Sequence, residues 1–449
     1  MLGPLGRDGF TLPTTERSCY GRIGRTSATT GPAFRTANRM VYRQPTLQIA
    51  LASLLLVIAA GEVLTRIPAV AGLSANALFS VTLFAVLVTT LAGTRATYRQ
   101  RMPVLFWLAT LWFVARGVSH LDPVAGGQQL LAWAVFAAAV LVGRVVEVRV
   151  IRPDRLLSWI ERFGCAWALV AIVETVLHRA GVAFPDLTGR ATSAMLVTIL
   201  AVAWARWTAG RRRQSFITVL VVFAAIVIGE ARTASLAALV AAGSMWIALT
   251  FRRSFPFAVK AIFAGLLFIV ITVLVFAWTP AGSRIVSGLV QLPTVLADPT
   301  GGVAAGVTQG RSRVWAHVIA RVAEAPVLGY GAGAASWASF DITQSERWRH
   351  PHNDYLRILH DTGLIGLALL VSVLWNLAAA AVHVVRRARR SGSNAPVEAA
   401  AAFGALVGLA ALMMTDNVIV YTYVLVPTGL LAGMALARRY EYTRTGHTE

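Results

Sequence analysis

The feature that most constrains this chain is an alternation repeated from residue 46 to residue 437: apolar runs of about twenty residues, separated by short polar stretches rich in Arg. Twenty residues of helix cover about 30 Å, the thickness of a bilayer's hydrocarbon layer, and a helix satisfies its own backbone where no water is at hand. A single soluble core does not absorb so much apolar length, because 57% of the 449 residues are hydrophobic and only 14% are charged. The runs fall near 46–64, 73–92, 103–119, 128–145, 163–180, 191–208, 214–230, 233–250, 257–278, 363–385, 398–415 and 419–437. The spacing therefore predicts an all-α fold: a polytopic membrane helical bundle of about twelve transmembrane helices, with one long outer-face loop containing short amphipathic helices.

A formal charge of +21 in a soluble protein would point to nucleic acid, but here the basic residues sit in clusters between apolar runs, so no nucleic-acid partner is expected. Lys260 is the only lysine and the other 40 basic residues are Arg, a bias attributed to a GC-rich genome that carries no mechanism. Basic residues are retained on the cytoplasmic side of spans, and 29 of the 41 fall in the two tails and in alternate loops. Of the 12 on the opposite face, seven lie in the single long segment 279–362. Both termini are therefore expected in the cytoplasm and 279–362 outside.

The expected division is a disordered Arg-rich tail at 1–45, spans one to nine at 46–278, the outer loop at 279–362, spans ten to twelve at 363–437 and a short tail at 438–449. Met40 is a second candidate start. Cys19 and Cys165 form neither a disulfide framework nor a CxxC metal site. No repeat of twenty to fifty residues and no inverted half-repeat with broken helices is evident, which weakens a transporter reading.

The outer loop is the first place to look for chemistry. Segment 283–296 is apolar with scattered polar residues, and 311–324 places Trp315, Val318, Ile319 and Val322 at helical spacing, so both are expected along the membrane surface. Pro326 ends the second helix. Gly329, Gly331 and Gly333 then give a flexible stretch, which lacks the flanking strand and helix of a dinucleotide site. Next comes His350-Pro351-His352-Asn353-Asp354, where Asn353 or Asp354 caps the following helix and His352 sits just ahead of its N-terminus. A neutral imidazole there can take a proton from a hydroxyl at physiological pH, although an interfacial His that merely bonds its own loop fits the position as well. Glu174 lies inside an apolar run, with Arg116 and Arg190 as candidate partners in an ion pair.

His352-Asn353 followed nine residues later by Gly363-Leu364-Ile365-Gly366 resembles the H-N-x9-G-x-x-G motif of the O-antigen ligase and polymerase family. Arg311 with Trp315, and Pro326 with Gly329-Tyr330-Gly331, are similar to that family's R-x3-W and P-x-x-G-x-G elements. Arg232 resembles the Arg of its Ser-Arg-small motif, with Ala231 in place of Ser and Glu230 as an acidic neighbour. The resemblance covers residues 214 to 437. It implies an enzyme of the cytoplasmic (inner) membrane that moves a glycan from an undecaprenyl pyrophosphate carrier to a hydroxyl of an acceptor glycan, lipid or protein, with no metal and no cofactor. It further implies that His352 is the catalytic base, that Arg232, Arg311 and Arg313 bind the pyrophosphate, and that Asn353 and Asp416 support them. Displacement would be direct and inverting. A polysaccharide or lipid-carrier transporter is the alternative reading, and its site would lie at mid-membrane on broken helices.

Overall fold

The computed structural model describes residues 75–93, 102–118, 123–149, 153–185, 187–210, 213–229, 231–250, 290–298, 311–343, 350–391 and 396–445. Every regular element among the described residues is helical. The first seven helices are α1 (Ala75–Gly93), α2 (Val104–Val118), α3 (Pro123–Arg149), α4 (Pro153–Arg179), α5 (Arg190–Gly210), α6 (Arg213–Ile228) and α7 (Arg232–Thr250). The loop region adds α8 (Leu292–Ala297), α9 (Arg311–Val322) and α10 (Ala334–Thr343), before the long α11 (Asp354–Arg390). The chain closes with α12 (Val397–Leu412), a 3-10 turn at Val418–Val420 and α13 (Thr422–Thr445).

Ten of the twelve expected apolar segments coincide with these helices, while 46–64 and 257–278 lie outside the described residues. Among the described residues five helices, α3, α4, α5, α7 and α11, have spans long and apolar enough to cross a bilayer, and four more are apolar but shorter. The tail 1–45 also lies outside the described residues.

Two interfaces show how the bundle is held. α3 and α13 make the most extensive contact, and they approach closely because Gly143 of α3 faces the backbone of Leu430 while Gly433 of α13 faces that of Val140. A side chain at either glycine would meet main-chain atoms of the other helix, which is the small-residue packing expected where lipid supplies no hydrophobic drive between helices. α5 runs through the interior between α6, α7 and α12, with Leu196, Val202, Ala203 and Ala205 fully buried.

Polar groups segregate to the two ends. One end holds Arg206, paired with Glu161 at 2.6 Å, and Arg438, paired with Glu398 at 3.0 Å. At the other end Arg116 donates to the Gly329 carbonyl, and the α6–α7 hairpin, the α12–α13 turn and the start of α11 come together. Glu174 is at this end too. Its Oε2 accepts the backbone amides of Leu187 and Thr188 at 3.1 and 2.7 Å, so the carboxylate ties down the loop after α4. Arg116 is engaged elsewhere, and the Arg190 side chain lies outside the described residues.

α11 is interrupted. Gly363 has φ of 67° inside it, so 354–362 and 364–390 are two helical pieces joined at a left-handed residue. The glycine stretch expected to be flexible is pinned against this joint: Tyr330 N donates to His360 O at 3.0 Å and Gly331 N to Asp361 O at 2.8 Å. Leu364 N, freed from the helix ladder, donates to Pro326 O at 2.8 Å.

Candidate active site at the start of the long helix

Of the residues singled out from the sequence, Arg311, His352 and Asp416 meet at the turn between α12 and α13. Asn353 is the N-cap of α11, its side chain accepting the Leu356 amide at 2.9 Å. Asp354 does something different: its own amide donates to Met413 O at 2.8 Å and its Oδ2 accepts from Ile419 N at 2.9 Å. The start of α11 is thereby clamped to both sides of the turn that carries Asp416 and Asn417.

His352 precedes the cap with φ of 51°, and it is the one non-glycine residue at positive φ among the described residues. That conformation costs an L-residue roughly 1–2 kcal/mol, and it persists only where the surroundings over-determine it. They do so here. Trp315 of α9 donates its indole N–H to Pro351 O at 2.6 Å, fixing the chain just before His352. On the other side the ring Nδ1 lies 3.1 Å from the Asn417 amide and 3.7 Å from Asp416 Oδ1.

Arg311, the first residue of α9, donates to Thr415 O at 2.6 Å. Thr233, next to Arg232 at the start of α7, shares a hydrogen bond of 3.0 Å with the Thr415 hydroxyl. Residues 415–417 are thus touched by the Arg311 side chain, by the neighbour of Arg232 and by His352. Burial pushes the Asp416 carboxyl up, but the His352 ring, the Asn417 amide and the Arg311 charge together hold it below the usual carboxylate range. Asp416 is therefore an anion at neutral pH facing an imidazole and a guanidinium.

Arg313 is not brought into this cluster. Two positions along a helix point to different sides, and Arg313 is exposed where Arg311 is half-buried. The apolar stripe of α9 is likewise shifted from the expected one: Val314 and Val318 are buried with Trp315 against them, whereas Ile319 is exposed. Glu230, the expected neighbour of Arg232, lies outside the described residues.

Behind the cap the first piece of α11 buries charge that sequence reasoning passed over. Asp354, Arg357 and Asp361 are each fully buried, and Arg357 Nε lies 4.0 Å from Asp361 Oδ2. Asp361 also accepts the amides of Gly333 and Ala335 at 2.9 and 2.6 Å, which fastens the start of α10 to α11. Their spacing, at i, i+3 and i+7, puts all three on one helix face, and that was the available signal. His360 packs its ring on Tyr330 with centroids 4.9 Å apart, and His350 Nδ1 lies 3.3 Å from Ser336 Oγ, so neither belongs to the His352 cluster. Among the described residues no group of three His, Cys, Asp or Glu side chains is placed to hold a metal ion.

Residues 217–371 match the family model described as O-Antigen ligase. The matched segment runs from α6 into α11, and so takes in Arg232, Arg311, His352 and Gly363 while leaving Asp416 and Asn417 beyond its end. No curated protein matches the chain. Arg311 and His352 reach one turn, the neighbour of Arg232 reaches it too, and residues 217–371, which hold all three, match the O-antigen ligase family.

Proposed function

We propose that this protein is an inverting, metal-independent glycosyltransferase of the O-antigen ligase or polymerase type, moving a glycan from undecaprenyl pyrophosphate to an acceptor hydroxyl at the outer face of the cytoplasmic membrane. In this reading the chain crosses the bilayer about twelve times, with both termini in the cytoplasm and 279–362 outside. The observation that carries it is His352 itself: a strained imidazole at a helix N-terminus, backed by an anionic Asp416, on the turn that also receives Arg311.

The chemistry assigned to these groups balances. With its Nδ1 proton directed to Asp416 Oδ1, His352 presents the Nε2 lone pair as base. As Nε2 takes the acceptor's hydroxyl proton, the acceptor oxygen bonds to the anomeric carbon. The bond from that carbon to the carrier oxygen breaks, its electron pair leaving on the pyrophosphate. Asp416 stabilises the imidazolium that forms. Arg232 and Arg311 bind phosphate oxygens and offset the leaving-group charge, since guanidinium makes charge-assisted, often bidentate bonds to phosphate. Arg313, on the exposed side of α9, is assigned to attracting the anionic headgroup.

The test is transfer in membranes lacking the endogenous gene, complemented with wild type or His352→Ala at matched protein levels. The expected result is loss of product, by at least about a hundredfold, with accumulation of carrier-linked substrate. The size ladder made by wild type separates repeat-unit polymerisation from single transfer. Normal transfer by His352→Ala would end the general-base assignment.

A further inference from the structure

At the end of the bundle far from His352, a cavity of about 910 Å³ lies against the last turns of α11. One stretch of its wall is apolar: Trp375, Ala378, Ala379 and Val382 of α11, with Phe403 of α12. Its rim is basic, formed by Arg386, Arg387, Arg390 and Arg439 beside His383, and no Asp or Glu among the described residues lines it.

These arginines differ from others at the same end. Arg438 is paired with Glu398 and Glu441 at 3.0 and 3.3 Å, and Arg389 donates to Ala248 O at 3.1 Å. Arg387 lies over the Tyr442 ring at 5.8 Å. Arg386, Arg390 and Arg439 have no ion pair among the described residues. Three guanidiniums held together without a carboxylate repel one another, and an anion entering the cavity relieves that repulsion.

The shape narrows the anion's class. From Trp375 to Arg390 the helix advances about 22 Å, with the charge gathered at one end and the apolar wall, opened by two alanines, running away from it. A free phosphate would use only the rim. A molecule with an anionic head and a hydrocarbon tail uses both, and basic pockets between membrane helices bind phospholipid headgroups in this way. We infer that this cavity binds an anionic phospholipid, its phosphate held by Arg386, Arg390 and Arg439 and an acyl chain laid along Trp375, Ala378, Ala379 and Val382. The site is separate from the His352 cluster, because Gly363 and Arg386 are about 35 Å apart along α11. It stands whether or not the protein transfers glycans.

The experiment is native mass spectrometry of the full chain in neutral detergent, titrated with phosphatidylglycerol or phosphatidylcholine, with inorganic phosphate as competitor. Three proteins are compared with wild type: the triple variant Arg386→Gln, Arg390→Gln, Arg439→Gln; Ala379→Trp, which fills the trough and keeps the charge; and Arg155→Gln, Arg162→Gln, Arg213→Gln, which removes equal charge from exposed positions at the same end. Wild type and the last variant are expected to bind phosphatidylglycerol at least about tenfold more tightly than phosphatidylcholine, with phosphate failing to compete. The cavity triple variant and Ala379→Trp are expected to lose that preference. Equal binding of the two lipids by wild type, or undiminished phosphatidylglycerol binding by the cavity triple variant, would overturn the inference. Displacement by phosphate together with full binding by Ala379→Trp would mark a free-phosphate site and overturn it as well.

Discussion

Gly363 and Gly366 stand three residues apart in the same motif, yet the structure gives them unequal work, and alanine at each position measures the difference. Gly363 has φ of 67°, and a Cβ there would run into the carbonyl of Val327 and come within 2.6 Å of Leu328 N. Both obstacles are main chain, held by the bond from Leu364 N to Pro326 O, so neither can swing aside. The left-handed conformation costs alanine about 1–2 kcal/mol over glycine, and overpacking against rigid neighbours adds about 1–3 kcal/mol, for roughly 2–5 kcal/mol in all. At Gly366 the backbone is helical and a Cβ would meet the Thr362 side chain, with Trp112 Nε1 at 3.1 Å. The Thr362 hydroxyl can rotate but its Cβ cannot, so overpacking of about 1–3 kcal/mol remains, of which alanine's better helix propensity returns up to about 1 kcal/mol. Apparent melting temperature in detergent should fall by roughly 2–10 °C for Gly363→Ala and by less, up to about 4 °C, for Gly366→Ala. Glycan transfer at matched expression should follow the same order, because the first piece of α11 that carries the His352 loop is set by the joint. Equal melting of Gly363→Ala and wild type would refute the view that this joint is a rigid contact.

Three further outcomes follow from the same geometry. His352→Gly should melt above His352→Ala by the equivalent of about 1 kcal/mol, since glycine carries no penalty at φ of 51°, while both should be inactive; reversed melting order would show the loop relaxes when the ring is removed. Asp416 has a depressed folded pKa, so its contribution to stability is complete above the ordinary carboxylate value and lost as pH falls through the folded value; the melting gap between wild type and Asp416→Asn should be steady near about pH 6 and close toward about pH 3, and a gap that widens on acidification would contradict the sign. Glu174→Ala leaves the Leu187 and Thr188 amides without their acceptor and should cost about 2–4 kcal/mol, Glu174→Gln less because it keeps an oxygen; comparable loss in both would restore a charge-based role.

The apolar helices were legible because membrane spans are long and uniform, so composition alone marks them. Boundaries inside the site were not. The transmembrane span was expected from 363, after a helix capped by Asn353 or Asp354 that carries Asp354, Arg357, His360 and Asp361. Such a stretch looks like solvent-facing chain until its partners are known. In the structure those side chains are buried because the 331–335 loop and the 413–421 turn bring amides to the two aspartates, and a long-range amide donor leaves no trace in sequence. For Glu174 charge suggested a charged partner, and the contacts among the described residues are two peptide amides, which sequence does not mark either. Arg313 stands apart from Arg311 for a reason the sequence did carry, since two positions along a helix face different sides.

The placement of Asp416 and Asn417 bears on what the matched segment can do alone. Residues 217–371 contain His352 and the arginines, but the groups that meet the His352 ring come from the turn after α12, some forty residues beyond the match. The clamp that sets this distance is also shared: Asp354 reaches Met413 and Ile419, Arg311 reaches Thr415, and Thr233 meets the Thr415 hydroxyl. A strained residue such as His352 keeps its conformation only while contacts on every side remain, and here Trp315 lies within the matched segment while Asn417 lies outside it. The segment that carries the recognisable motif is therefore not an autonomous site. The turn between α12 and α13 supplies the surface against which His352 is oriented, and substitutions in 413–421 should impair the function proposed for His352 as directly as substitutions beside it.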